Sequence, residues 1–182
     1  MTFVRNSGNT AVYRVTGTTL NFKIVEVKQE LVTVARFGEE IRSTHLQKYY
    51  RSEVTFQEGG NQYLFHQSNQ DNRWYMAKLS RDWDLQQEIK SGNYQRFYEV
   101  LVPFRFNGKN YLFAHSKQDH RWFISELSTS WDGQSEIGNG CWDNYYGCVF
   151  IFEQDGKVYL CAHSESDKRF FMTEILIGYE TK

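Results

Sequence analysis

The stretch YLFAHSKQDHRWFISEL, residues 111–127, places a polar centre between two apolar segments. The same pattern occurs upstream as YLFHQSNQDNRWYMAKL, residues 63–79, and downstream as YLCAHSESDKRFFMTEI, residues 159–175. Successive copies begin 48 residues apart. Because self-similarity at a fixed period of this length is typical of repeat architectures, the organisation of one copy predicts the fold of the chain.

The period extends beyond this stretch and divides the chain into four copies. WDLQQEIKSGNYQRFYEV, residues 83–100, matches WDGQSEIGNGCWDNYYGC, residues 131–148. We therefore predict a single repeat domain over residues 1–182. Its copies cover approximately 1–48 (degenerate), 49–96, 97–144 and 145–182 (truncated).

Each copy contains three or four short segments with strand character, separated by turn residues. In the third copy these segments are YEVLVPFRF (98–106), NYLFAHS (110–116), RWFISEL (121–127) and a weaker GQSEI (133–137). The connectors NGK, KQDH, STSWD and GNG have turn composition. No segment shows sustained helical periodicity, so the sequence predicts an all-β fold.

The strands YLF and RWFI are apolar on both faces of the pleat, which is typical of strands covered on both sides. Four copies of antiparallel strands packed face to face predict a four-bladed β-propeller. Pro103 lies in the first strand of its copy, which we expect to be an edge strand. The alternative is a β-trefoil made from the three stronger copies.

This plan resembles small repeat propellers, including hemopexin-like four-bladed domains and propeller lectins. The resemblance covers the repeat length and the number of blades. No family-specific motif is matched, and the QxW signature of ricin-like trefoils is not evident. No binding residue is therefore carried over from these families.

The polar centre of each of the three stronger copies is a Ser-x-x-Asp-x-Arg-aromatic sequence, which we call the hairpin motif. Its structural interpretation is a tight connection in which Ser and Asp cap their own backbone. Its functional interpretation is a repeated ligand contact, because polar groups beside an aromatic face suit carbohydrates and repetition raises avidity. The leading functional prediction is thus a multivalent, lectin-like module that binds a glycan or small molecule. The candidate ligand-binding residues are Ser68, Asp71, Arg73, Trp74, His115, Ser116, Asp119, Arg121, Trp122, His163, Ser164, Asp167 and Arg169.

Two other classes of function stay open. Gln57, Arg105 and Glu153 are equivalent positions of the repeat that differ in charge. A single catalytic pocket in a central tunnel requires such a departure from the repeat symmetry. These three are the candidate residues for a cofactor-independent cyclase or isomerase acting on a small apolar molecule. Alternatively, the protein is an interaction scaffold that docks a partner through surface aromatics. The candidates for that surface are Trp83, Trp131, Tyr94 and Trp142.

Composition argues against several further classes. The net charge of −1 provides no electrostatic footprint for nucleic acid, and no run of 18 apolar residues predicts a membrane span. We predict no metal and no cofactor, because no dense cluster of metal ligands or phosphate-binding motif occurs.

The three cysteines, which contain no CxxC pair, are expected to be free buried thiols. No signal peptide is apparent, so we expect a cytoplasmic protein or one exported without a recognisable signal. The oligomeric state is left open.

Overall fold

The computed structural model of this chain describes residues 2–7, 10–14, 27–28, 49–80, 88–133 and 135–178. Within them, 14 strands form four antiparallel sheets, and no helix occurs. The predicted all-β class is confirmed. Accordingly, these residues include no helix long and apolar enough to cross a membrane.

The chain divides into two compact units, Met1–Glu40 and Ile41–Lys182. In the first unit, β1 (Thr2–Ser7), β2 (Thr10–Arg14) and β3 (Val27–Lys28) form sheet A in that order. The β1–β2 and β2–β3 pairs are both antiparallel. A single domain of four copies over residues 1–182 stays a prediction.

The second unit contains three sheets, each built from consecutive strands of one repeat copy. Sheet B contains β4 (Tyr50–Glu58), β5 (Asn61–Ser68), β6 (Arg73–Leu79) and β7 (Glu88–Asn93). Sheet C contains β8 (Val100–Phe106), β9 (Lys109–His115), β10 (Arg121–Glu126) and β11 (Glu136–Cys141). Sheet D contains β12 (Cys148–Gln154), β13 (Lys157–His163) and β14 (Phe170–Ile175). Every sheet is open, with two edge strands.

The hairpins that begin sheets B, C and D use the shared turn that the repeat predicts. In sheet C, Asn107 and Gly108 connect β8 to β9 with φ angles of 48° and 77°. Two successive residues with positive φ are typical of the type I′ turn, whose twist matches that of the flanking strands. Pro103 lies on β8, which is an edge strand, as expected for a residue without a backbone N–H.

The fourth strand of sheet C differs from the prediction. We expected a weak strand over 133–137 followed by a turn at GNG, and this is wrong, because β11 covers Glu136–Cys141 and includes those glycines. Gly140 is paired with Trp122 of β10. A Cβ at Gly140 would lie 2.7 Å from the Trp122 indole, so the glycine gives the ring room to lie over the neighbouring strand.

Two hydrophobic cores fill the second unit. The first core joins side chains of sheets B and C, including Phe65, Trp74 and Leu112. The second core joins sheets C and D, including Phe113 and Leu160. In β9, every residue from Tyr111 to His115 is buried, which confirms that this strand is covered on both faces.

The cysteines are only partly as expected. All three are free, and Cys161 is buried. The prediction that they are all buried is wrong for Cys141 and Cys148, which are exposed. Both lie on edge strands, Cys141 at the end of β11 and Cys148 at the start of β12, where one side has no neighbouring strand to cover it.

Candidate functional site

The hairpin motif caps its own backbone in each of the three described copies. The backbone N–H groups of Arg73, Arg121 and Arg169 donate to Oδ1 of Asp71, Asp119 and Asp167, at 3.3, 3.3 and 3.1 Å. The hydroxyl of Ser116 accepts from the backbone of Gln118 at 3.2 Å, and Ser68 accepts from Gln70 in the same way. These contacts define the structural role that the motif predicts.

The same loop holds a non-glycine residue with positive φ in each of these three copies. Asn72, His120 and Lys168 have φ angles of 59°, 56° and 59° and lie at equivalent positions of the repeat. Left-handed backbone of this kind is uncommon outside glycine. The local hydrogen bonds of the motif therefore hold one defined loop conformation, which presents the arginine that follows it.

In sheets B and C, the residue before the motif serine joins its sheet to the segment that enters the next one. Gln67 donates to the carbonyl of Arg96 at 2.8 Å and accepts from the N–H of Tyr98 at 3.0 Å. His115, at the equivalent position, has Nδ1 3.3 Å from the carbonyl oxygen of Tyr146. Because a carbonyl oxygen only accepts, Nδ1 carries a proton. Burial lowers the pKa of His115 to about 4, so the imidazole is neutral near pH 7.

The predicted ligand-binding residues differ widely in exposure. Five are buried: Ser68, Trp74, His115, Ser116 and Ser164. Four are half-buried: Arg73, Asp119, Trp122 and His163. The exposed ones are Asp71, Arg121, Asp167 and Arg169. The arginines and carboxylates of the motif are thus more accessible to a ligand than its serines.

A polar cavity of about 540 Å³ lies between the segment that connects sheet B to sheet C and the outer strands of sheet C. We call it the BC pocket. The connecting side includes Tyr94, Arg96 and Tyr98, and the strand side includes Arg121 and Trp122 of the hairpin motif. Further polar groups come from Asn93, Gln95, Glu136 and Asn139.

A second cavity of about 250 Å³, the CD pocket, lies at the equivalent place between the connection from sheet C to sheet D and strand β14. Each of its six lining residues is 48 positions after a residue that lines the BC pocket. The six in the BC pocket are Asn93, Tyr94, Gln95, Tyr98, Arg121 and Phe123, and their counterparts are Cys141, Trp142, Asp143, Tyr146, Arg169 and Phe171. The pocket is therefore a feature of the repeat.

Each pocket contains three aromatic rings in the same arrangement. In the BC pocket, Tyr98 packs edge to face on Phe123 with ring centroids 4.9 Å apart, and Tyr94 packs on Tyr98 at 5.3 Å. In the CD pocket, Tyr146 packs edge to face on Phe171 at 4.9 Å, and Trp142 packs on Tyr146 at 5.1 Å. Edge-to-face packing of this kind fixes ring positions, so each pocket has a rigid aromatic wall.

Charged groups of the hairpin motif connect each pocket to the incoming segment. Arg96 forms an ion pair with Asp119, whose carboxylate also lies 3.8 Å from Nε of Arg121. In the next copy, Asn144 replaces Arg96 and donates to Asp167 at 2.8 Å. The hydrogen bond from the Ser164 hydroxyl, together with the backbone N–H of Arg169, lowers the pKa of the Asp167 carboxyl, so this group stays ionised.

One polar group in the BC pocket has no hydrogen-bond partner among the described residues. The hydroxyl of Tyr94 is buried and makes no hydrogen bond within the described part of the chain. Burial is the main cause of a pKa well above the usual value for this tyrosine, so it is a neutral donor. A buried polar group without a partner costs about 1–3 kcal/mol, which a bound ligand or water offsets.

The residues of the enzyme hypothesis lie elsewhere. Gln57, Arg105 and Glu153 are exposed, near the ends of β4, β8 and β12. None of them lines the BC pocket, the CD pocket or an apolar cavity of about 350 Å³ that includes Phe113, Trp142 and Leu160. Within the described residues, no group of three or more His, Cys, Asp or Glu side chains has the arrangement of a metal site.

The aromatics of the scaffold hypothesis are mostly packed. Trp131 is buried and stacks on Trp74 with ring centroids 5.6 Å apart. Tyr94 and Trp142 are half-buried in the pocket walls, and Trp83 lies outside the described residues. These contacts indicate a packing role for Trp131.

The sequence patterns led us to Arg121, Trp122 and Arg169 but not to the other side of each pocket. Arg96, Glu136, Asn139 and Cys141 were not among the candidate ligand-binding residues. The segment that contains Arg96 lies between strands, so no motif marks it. The repeat register contains the missing signal, because Arg96 and Asn144 are 48 residues apart and both precede an equivalent tyrosine.

Comparison of the chain with models of known protein families and with curated proteins finds no match.

Proposed function

We propose that this protein is a carbohydrate-binding module whose ligand sites are the BC and CD pockets. The observation that carries the proposal is the repetition of the pocket itself, since six lining residues recur in register. Core residues of a repeat protein recur because every copy has to pack in the same way. A surface cavity with an exposed arginine at the same position of two copies adds no packing and is what a multivalent binder requires.

The chemistry of the lining favours a sugar over an apolar ligand. Around Arg121 in the BC pocket, amide, guanidinium and carboxylate groups supply both donors and acceptors. The hydroxyl groups of a sugar need such mixed partners, and the apolar face of its ring suits an aromatic wall. The half-buried indole of Trp122 and the rings of the aromatic wall supply that surface.

A glycan array with matched variants tests the proposal. We expect the wild-type protein to bind a defined set of glycans, and the double variant Arg121→Ala/Arg169→Ala to lose this binding. Each single variant should weaken binding less, because one site remains. Arg105→Ala is the control, since Arg105 is exposed but lines neither pocket.

Two outcomes of this array contradict carbohydrate binding at the pockets. One is a blank array with wild-type protein whose circular dichroism shows folded β-structure. The other is undiminished binding by the double variant. If Arg105→Ala is the only variant that loses binding, the ligand site lies at Gln57, Arg105 and Glu153, the residues of the enzyme hypothesis.

We also propose that sheets B, C and D are blades of a four-bladed β-propeller and that the first repeat supplies the fourth blade. In support, the first strands of the sheets are neighbours, with β4 beside β8 and β8 beside β12. Each sheet keeps its strands in chain order, which favours blades over the trefoil. If the first repeat closes a ring, deletion of residues 1–48 should destabilise the remainder. Unchanged thermal stability of residues 49–182 would contradict closure.

A further inference from the structure

The BC and CD pockets differ in charge although they share a plan. In the BC pocket, Arg96 and Arg121 both lie beside the single carboxylate of Asp119. Asp119 lies beside the lining, and Glu136 is a second anion, within the lining itself. The side chain of Arg96 is only 17% exposed, whereas that of Arg121 is 65% exposed. The less exposed arginine, Arg96, thus takes the carboxylate, and the more accessible Arg121 keeps only a longer contact.

The CD pocket lacks this second arginine. Asn144 stands at the position of Arg96 and donates a neutral hydrogen bond to Asp167. The charge of Asp167 therefore balances Arg169, and Asp143 adds a further anion to the lining. The BC pocket has two cations against two anions, and the CD pocket has one cation against two anions.

We propose that the BC pocket selects sugars that carry a carboxylate, such as uronic acids, whereas the CD pocket selects neutral sugars. This inference rests on the proposed carbohydrate-binding function. The planar guanidinium of Arg121 matches a ligand carboxylate through two parallel hydrogen bonds. Arg96 makes this pairing possible, because it occupies Asp119, which otherwise competes for Arg121.

The buried hydroxyl of Tyr94 is a second, independent sign of a polar ligand in the BC pocket. It has no acceptor among the described residues, and a ligand oxygen is the partner that it lacks. At the equivalent position of the CD pocket, Trp142 has no hydroxyl group. Of the two differences, Arg96 against Asn144 gives the BC pocket an additional cation, and Tyr94 against Trp142 replaces an indole N–H by a hydroxyl.

The repeat itself supplies the variants that test this inference. Arg96→Asn converts the BC pocket toward the CD pattern, and Asn144→Arg makes the reverse change. Isothermal titration calorimetry with methyl glucuronide and galacturonide, against methyl glucoside and galactoside, compares acidic and neutral ligands directly. Thermal unfolding of each variant separates loss of binding from loss of the fold.

We expect the BC pocket, measured alone in the variant Arg169→Ala, to bind the acidic glycosides about tenfold more tightly than their neutral counterparts at low salt, with the preference reduced by added NaCl. Arg96→Asn should remove the preference, and Asn144→Arg should add a second acidic-sugar site. Equal binding of acidic and neutral glycosides overturns the charge selection but leaves carbohydrate binding standing. An unchanged preference in folded Arg96→Asn overturns the role of Arg96. If no glycoside binds and the glycan array is blank, both proposals fall.

Discussion

Arg121 and Cys141 face each other across strands β10 and β11, and both line the BC pocket. The thiol of Cys141 donates to the carbonyl oxygen of Asp119 at 3.3 Å, so it lies beside the hairpin motif. Cys141 also lines the CD pocket, at the position that Asn93 occupies in the BC pocket. One exposed thiol is thus a chemical reporter for both proposed sites.

A bound ligand is expected to protect Cys141 from alkylation. With iodoacetamide, a ligand concentration ten times Kd should slow modification of Cys141 by about tenfold, because only the unliganded fraction reacts. Cys148 is the internal control, since it is exposed but lines neither pocket. Mass spectrometry of the modified peptides measures both rates. Equal rates at Cys141 with and without ligand would place the ligand elsewhere.

Stability is expected to fall in mild acid because of two buried histidines. Burial is the main cause of the low pKa of His66 and His115, each about 4 instead of the usual 6.5. Between pH 6.5 and 4 the unfolded chain binds protons that the folded protein does not, so stability decreases as the pH falls and is constant above this window. Each histidine contributes at most about 1.4 kcal/mol per pH unit.

The variant His115→Gln isolates one of these two contributions. Gln67 occupies the equivalent position in sheet B and bonds to the same part of the connecting segment, so glutamine suits the site. Urea unfolding between pH 7 and 4.5 should show a shallower loss of stability in the variant than in the wild-type protein. Parallel pH profiles for the two proteins would show that His115 does not titrate as expected.

Glycine at position 140 is expected to be required by the indole of Trp122. Gly140→Ala places a methyl group 2.7 Å from that ring and should destabilise the protein by about 1–3 kcal/mol. Gly138→Ala is a matched control in the same strand, because its methyl group meets the indole at an ordinary 3.9 Å. Chemical denaturation compares the two. Equal stability of both variants would mean that the indole moves aside without cost.

The carboxylate of Asp119 is expected to have two separable roles. Asp119→Ala removes both the acceptor for the Arg121 amide and the partner of Arg96, and should cost about 1–3 kcal/mol. Asp119→Asn keeps an acceptor oxygen and should cost less, although it loses the ion pair. Thermal unfolding distinguishes these cases. An alanine variant as stable as the wild-type protein would contradict a capping role for the hairpin motif.

Much of the second unit follows from the repeat register. The apolar segments around residues 63–79, 111–127 and 159–175 become paired strands, because their apolar composition and their turns agree with one another. The predicted position of the fourth strand of sheet C was wrong, because GNG has the local composition of a turn. Its true state depends on Trp122, a partner on another strand that the local sequence does not reveal.

The candidate site was only half predictable, for a related reason. The hairpin motif marks Arg121 and Arg169, but the buried serines show that much of the motif stabilises the loop. The other wall of each pocket comes from the connection between sheets, which has no regular pattern of its own. Only the packing of consecutive sheets brings Arg96 to Asp119 and defines the cavity.

The most direct test of carbohydrate binding at the repeated pockets is an NMR titration that follows the tryptophan indole N–H signals. Trp122 lines the BC pocket and Trp142 lines the CD pocket, whereas Trp74 is only 1% exposed and lines neither. Assignment by Trp→Phe variants identifies each signal. With a glycan selected from the array, we predict that the signals of Trp122 and Trp142 shift and that of Trp74 does not. Saturable binding that leaves both pocket signals unchanged would contradict the proposed sites.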